Sequence, residues 1–102
     1  MNMPQEVKRY FENGRRTIVS VHPNADYTLT LTFDNGEIRL YDMKPMIDQG
    51  VFARIKEKFD EVFISEDHAV AWDIDSNIDS SVHWNNRVDL CPDSCYLHSM
   101  PL

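Results

Sequence analysis

Asn35 and Gly36 interrupt a run of alternating apolar residues, and this interruption constrains the fold more than any other feature of the sequence. Upstream, Tyr27, Leu29, Leu31 and Phe33 occupy every second position; downstream, Ile38 and Leu40 resume the alternation. A period of two places such residues on one face of a strand, and an Asn-Gly pair accepts the positive φ angles of a two-residue type I′ turn. The pattern predicts a β-hairpin with strands near 27–33 and 37–42. Its single buried face carries Leu29, Leu31 and Phe33, with Ile38 and Leu40 across from them. Ahead of it, Ile18, Val19 and Val21 read as a strand that ends at His22-Pro23-Asn24, because proline breaks the ladder and starts a turn. Three antiparallel strands in succession make a meander.

After Tyr41-Asp42 the period changes. Met43 to Gly50 holds Pro45 and a closing glycine, and Val51, Phe52, Ile55 and Phe59 then fit one face of a short helix over about 51–58. A helix of two turns owes its stability to packing rather than propensity. Phe59 to Ser65 reads as a strand through Val62 and Ile64, Glu66-Asp67 as a turn, and His68 to Ile74 as a strand with Val70, Trp72 and Ile74 on one face. Asp75 to Ser80 is a polar connection, Val82 to Trp84 a last short strand, and Pro92 sits where a helical turn begins. At the other end, Val7, Tyr10 and Phe11 have helical spacing before Asn13-Gly14. Residues 1–15 are thus an arm or short helix, and 16–102 a single α+β domain. The expected architecture is an antiparallel sheet of five or six strands, opening with the meander and covered on one face by one short helix.

A chain of 102 residues holds one core. No stretch of about 18 apolar residues occurs, and the N-terminus lacks the basic-then-apolar layout of a leader, so a cytoplasmic protein with no membrane role is expected. Charge is uneven: residues 1–16 carry four basic and two acidic side chains, whereas the rest carries 6 basic and 15 acidic, a net of −9. Such a body repels phosphate backbones, which argues against direct nucleic-acid binding. A basic protein partner and plain solubility are both compatible with it, and homo-oligomerisation stays open.

The order Tyr27-x-Leu29-x-Leu31-x-Phe33, Asn35-Gly36-Glu37, Tyr41-Asp42, Gly50-Val51-Phe52, Phe59, Val62, Trp72, Trp84 and Asp89-Leu90-Cys91-Pro92-Asp93-Ser94-Cys95-Tyr96 resembles the bacterial family called domain of unknown function 2442, over about residues 16–97. The resemblance implies a small α+β domain that stands alone or precedes a helix-turn-helix segment. It also implies a neighbouring small protein, with which a toxin–antitoxin pairing has been proposed. Residues up to Leu102 contain no helix-turn-helix extension, and Arg87 stands where many relatives have glycine. The family brings no catalytic residues.

Three constellations invite chemistry. Asp73, Asp75, Asn77 and Asp79 alternate like calcium-loop ligands, but Ile78 and Trp84 occupy the positions that need glycine and the bidentate glutamate; the expectation is instead a polar connection between strands, where Asp and Asn cap turns with their own side chains. His83, Cys91, Cys95 and His98 are weak candidates for zinc, since closely spaced thiols and imidazoles suit it, although intracellular cysteines are more often simply buried. Either cysteine beside His68, His83 or His98 would make a nucleophile by residue type, but with 3 glycines there is no glycine-rich loop for an oxyanion hole. No cofactor or metal is expected. Trp72 shares parity with Val70 and Ile74 and reads as core. Trp84, beside Asn85-Asn86, and Tyr96 are candidates for protein contact. The leading expectation is a non-enzymatic protein-interaction module, the antitoxin-like or regulatory half of a two-protein system; the competing one is a metal-dependent or thiol enzyme using the C-terminal Cys/His group.

Overall fold

The computed structural model describes residues 5–12, 14–80 and 82–102. In chain order these form α1 (Gln5–Glu12), β1 (Ile18–Pro23), β2 (Thr28–Phe33), β3 (Ile38–Asp42), a 3₁₀ helix (Gly50–Glu61), β4 (Phe63–Ile64), β5 (Val70–Asp73), a 3₁₀ turn (Trp84–Asn86), β6 (Arg87–Leu90), α2 (Pro92–Leu97) and β7 (Met100–Pro101). The class is α+β, but the strands make two antiparallel sheets, β1-β2-β3-β7 and β4-β5-β6, instead of one sheet of five or six. The C-terminal β7 occupies the free edge of β3, so the later strands cannot extend the meander and form a sheet of their own. The two sheets share one core, which joins Ile18, Leu29, Leu31 and Phe33 to Val70, Trp72, Val88 and Cys95.

All three hairpins turn in the same way. In β1–β2 the Asn24 N–H donates to Thr28 O (2.9 Å) and the Tyr27 N–H to Asn24 O (3.3 Å). In β2–β3 the Phe33 N–H donates to Glu37 O and the Gly36 N–H to Phe33 O; in β4–β5 the Ser65 N–H donates to Ala69 O and the His68 N–H to Ser65 O. Each loop has three residues, a type I turn closed by a left-handed residue: Tyr27 at φ 63°, Gly36 at 87° and His68 at 59°. Asp26 and Asn35 brace two of them by accepting the Thr28 and Glu37 N–H groups.

The Asn35-Gly36 turn is therefore a three-residue loop, and the expected type I′ geometry is not adopted. The extra residue matters because one step of register inverts every side chain of a strand. A two-residue loop would set Leu40 opposite Leu31; in the structure Arg39 is opposite Leu31, and Tyr41 opposite Leu29. Leu29, Leu31, Phe33 and Tyr41 are buried, while Ile38 is exposed and Leu40 half-buried. The β2 half of the hairpin pattern holds and the β3 half is reversed. On the other flank, a bulge after Ile18 leaves Ile18 buried and Val19 exposed.

The helix expected at 51–58 is a 3₁₀ helix kinked at Lys58, whose φ of −122° is non-helical. At three residues per turn its buried face is narrower than an α-helical one: Ile55 and Phe59 are buried, Phe52 is half-buried and Val51 is exposed. Trp72 is fully buried, and its Nε1–H donates to Phe59 O (3.0 Å) just past the kink. The strand expected at Val82–Trp84 does not form. Instead the buried Asn86 side chain accepts the Asp75 N–H and donates to Asp75 O and Ile78 O, tying the polar connection into turns. Asn86 is thus an internal clamp and not part of a surface edge. The strand starts after it, with Val88 opposite Trp72.

Candidate functional site

The C-terminal group separates by burial. Proline at the first turn of α2 starts the helix as expected, and one turn later Cys95 points into the core, where burial pushes its thiol up to about 12. Cys91 is exposed, with Sγ 3.9 Å from Asp93 Oδ2, and His83 and His98 are also exposed. Among the described residues no group of three or more His, Cys, Asp or Glu is placed to hold a metal ion. Asp73, Asp75, Asn77 and Asp79 likewise do not converge; the Asp75 carboxylate accepts the Asn77 N–H as a turn brace. Arg87 binds Glu66 at 2.9 Å and Ser80 Oγ at 3.1 Å, and holds the Glu66 carboxyl below its usual range.

The side chain of Trp84 lies outside the described residues. Tyr96 is half-buried and engaged within the protein: it meets the Phe33 ring edge-on at 5.0 Å, stacks on Tyr10 at 5.0 Å and lies under the Arg39 guanidinium at 4.5 Å. Its hydroxyl is bonded to the Glu37 carboxylate, which lowers the Glu37 pKa and raises that of Tyr96. Tyr10, buried on α1, donates to Asp93 Oδ1 and accepts the Arg16 N–H at 2.9 Å; burial, then that bond to Asp93, raises its pKa to about 12. The residues Tyr10, Tyr96 and Asp93 thus dock α1 onto α2.

Two surface features remain. The first is a cleft of about 490 Å³ between the β1–β2 loop and the 3₁₀ helix, lined by Pro23, Asn24, Tyr27, Glu57, Phe59 and Asp60 among others. Tyr27 occupies it at a backbone angle that costs an L-residue about 1–2 kcal/mol. Its ring is held edge-on to Phe59 at 5.2 Å, and its carbonyl accepts the Met43 N–H. Lys56, also on the cleft, is paired with Asp48, whereas Glu57 and Asp60 make no ion pair among the described residues.

The second is the outer face of the four-stranded sheet. Ser20 and His22 of β1 pair with Thr32 and Thr30 of β2, which pair in turn with Ile38 and Leu40 of β3, and Leu40 pairs with Met100 of β7. The Leu102 N–H donates to Ile38 O, continuing the ladder. Ile38, Met100 and Leu102 are 48, 64 and 73 % exposed. Alternation alone missed this edge, because it assigned Ile38 to the core. The signal that finds it is the loop itself, since Asp34-Asn35-Gly36 also fits a type I turn with glycine third.

A family model described as Protein of unknown function (DUF2442) matches residues 18–100. The chain belongs to the DUF2442 family. No curated protein and no solved structure matches it. The DUF2442 match begins at the first residue of β1 and ends in β7, so it takes in both sheets, α2, the cleft and the outer face, and leaves out α1. Among the described residues of this DUF2442 protein no helix is long and apolar enough to cross a membrane.

Proposed function

We propose that this DUF2442 protein is a non-enzymatic protein-interaction module that receives a basic partner at the cleft beside the 3₁₀ helix. One observation carries this: Glu57 and Asp60, without ion pairs among the described residues, line the same cleft as the Phe59 ring, while the Tyr27 ring beside them already faces the Lys56 ammonium at 5.8 Å. Carboxylates beside aromatic rings suit a lysine or arginine side chain, because charge pairing and the ring quadrupole act on the same cation. The acidic body supplies the long-range attraction that speeds encounter. Burial of Cys95 withdraws one thiol from any thiol or metal chemistry at the C-terminus. A neutralising or regulatory half of a two-protein system is a role that such a module fits.

The test is co-purification from the native cell with the native chain and with Glu57→Lys/Asp60→Lys. A partner rich in lysine or arginine should be retained by the native chain and lost with the variant. Its association should also slow as salt is raised past the point where the Debye length falls below about 8 Å. Equal retention by both chains overturns the proposal, as does sequence-specific DNA binding by the isolated protein at nanomolar concentration.

A further inference from the structure

We infer that the free edge of β6 pairs with the same edge of a second copy of this chain, joining two three-stranded sheets across a two-fold axis. The inference stands apart from the acidic cleft. The Ile74 N–H donates to Asn86 O at 2.7 Å, which directs the Asn86 carbonyl towards β5. Main-chain groups alternate sides along a strand, so Val88 and Leu90 also bond to β5, and the N–H and C=O groups of Arg87 and Asp89 point away from it. Among the described residues no backbone group of a turn or loop meets them. The ladder with β5 runs without a bulge and β6 holds no proline or lysine, so none of these devices blunts the edge. Beside it runs a groove of about 280 Å³ lined by Val51, Phe52 and Arg54 of the 3₁₀ helix, with Val51 54 % exposed. Unpaired main-chain donors and acceptors along such a groove call for an added strand.

Charge decides whose strand it is. Arg87 and Asp89 project to one face of the sheet, since Val88 between them faces the core. An antiparallel strand hydrogen-bonds opposite Arg87 and Asp89, and its side chains at those positions stand beside theirs. A lysine-rich segment sets a cation against Arg87, and an acidic segment sets a carboxylate against Asp89. The strand that answers both reads basic, apolar, acidic in chain order, which is the order Arg87-Val88-Asp89 itself. With Val88 opposite Val88 of the second copy, each Arg87 faces an Asp89, and each opposed pair exchanges both of its main-chain bonds. One contact thereby satisfies both copies, as two-fold symmetry requires. The side chains have the capacity: Asp89 is exposed and forms no ion pair among the described residues, and Arg87 commits Nη1 to Glu66 and Nε to Ser80, which leaves Nη2. Glu66 and Asp73 already act on Arg87, and β6 is only four residues long, so the dimer is weak and concentration-dependent.

Sedimentation equilibrium of the full chain, from about 10 µM to about 1 mM, tests this together with amide hydrogen exchange over the same range. The mass should climb from 12.0 kDa towards twice that value. The outward amides of Arg87 and Asp89 should exchange more slowly as concentration rises, whereas those of Val88 and Leu90, bonded to β5 in either state, should not change. Asp89→Arg and Arg87→Asp each set like charges opposite one another and should each weaken self-association by about tenfold or more. An equimolar mixture of the two variants again opposes basic to acidic at both positions and should regain the association. Met100→Glu, on the other sheet, should leave it unchanged. Near-ultraviolet circular dichroism reports whether each variant is folded; Asp89 is exposed, so Asp89→Arg and the native amides carry the test if Arg87→Asp disturbs its contacts with Glu66 and Ser80. A mass of 12.0 kDa at the highest concentration with unprotected amides refutes the self-pairing and leaves the edge to a segment of another protein. A dimer indifferent to Asp89→Arg refutes it equally, as does a mixture of folded variants that stays monomeric.

Discussion

Ile38→Ala and Leu31→Ala, made side by side, test the hairpin register directly. Leu31 is fully buried in the shared core. Its truncation removes close-packed methyl groups and leaves a cavity, a cost of about 2–5 kcal/mol. Ile38 is 48 % exposed, so about half of its transfer term is absent in the folded state. The sheet face beyond it is open and no cavity forms, which leaves about 1 kcal/mol or less. In urea, with a slope of about 1–1.5 kcal/mol/M for a domain of this size, the midpoint should fall by about 1.3–5 M for Leu31→Ala and by less than about 1 M for Ile38→Ala. A two-residue Asn-Gly turn would instead bury Ile38 opposite Phe33. Equal midpoint shifts for the two variants would therefore overturn the three-residue loop and the outer face built on it.

Gly36→Ala should destabilise the fold by about 1–2 kcal/mol, read from the denaturation midpoint, because the methyl group meets open space but the φ of 87° does not suit it. One thiol per chain, Cys91, should react promptly with a disulfide reagent, and Cys95 only at the rate of unfolding; two fast thiols would contradict its burial. Tyr10 has its pKa raised to about 12 in the folded chain, above its ordinary value of about 10, so its contribution is present below pH ~10 and lost as pH rises through about 12. Thermal midpoints over that window should fall more steeply for the native chain than for Tyr10→Phe, and parallel curves would remove Tyr10 from the docking of α1.

The readable parts of the fold were those with a period. Leu29, Leu31 and Phe33 announced their buried face, Val70 and Trp72 theirs, and Pro92 the start of α2. What escaped depended on partners distant in sequence. Cys95 and Cys91, four residues apart, resemble a ligand pair in the sequence, and only the packing of α2 against the core shows that one is inside and the other outside. Asn86 beside Asn85 looks like surface, but its amide holds carbonyls eight and eleven residues upstream. The cleft was invisible because Tyr27 carries no mark of its left-handed backbone; His68 in the matching loop is of a type several-fold enriched there, but positive φ is uncommon for any residue other than glycine.

Arg39 explains why the register and the C-terminal strand belong together. Inverting β3 sends this side chain to the inner face opposite Leu31, where an unanswered guanidinium would be costly. Its Nε–H donates to Ser99 Oγ at 2.8 Å and its Nη2–H to Ser99 O at 2.8 Å, while Nη1 lies 3.7 Å from Glu37 Oε1 and the fork covers the Tyr96 ring. Ser99 in turn donates to Tyr96 O, so the residues that satisfy Arg39 are the ones that carry the chain out of α2 and into β7. A hairpin in the other register would turn Arg39 to solvent, release Ser99 and leave β7 without its anchor. The same one-residue loop choice thereby sets the inner face of β3, recruits the last strand, and lines up Ile38, Leu40, Met100 and Leu102 along the uncharged outer edge.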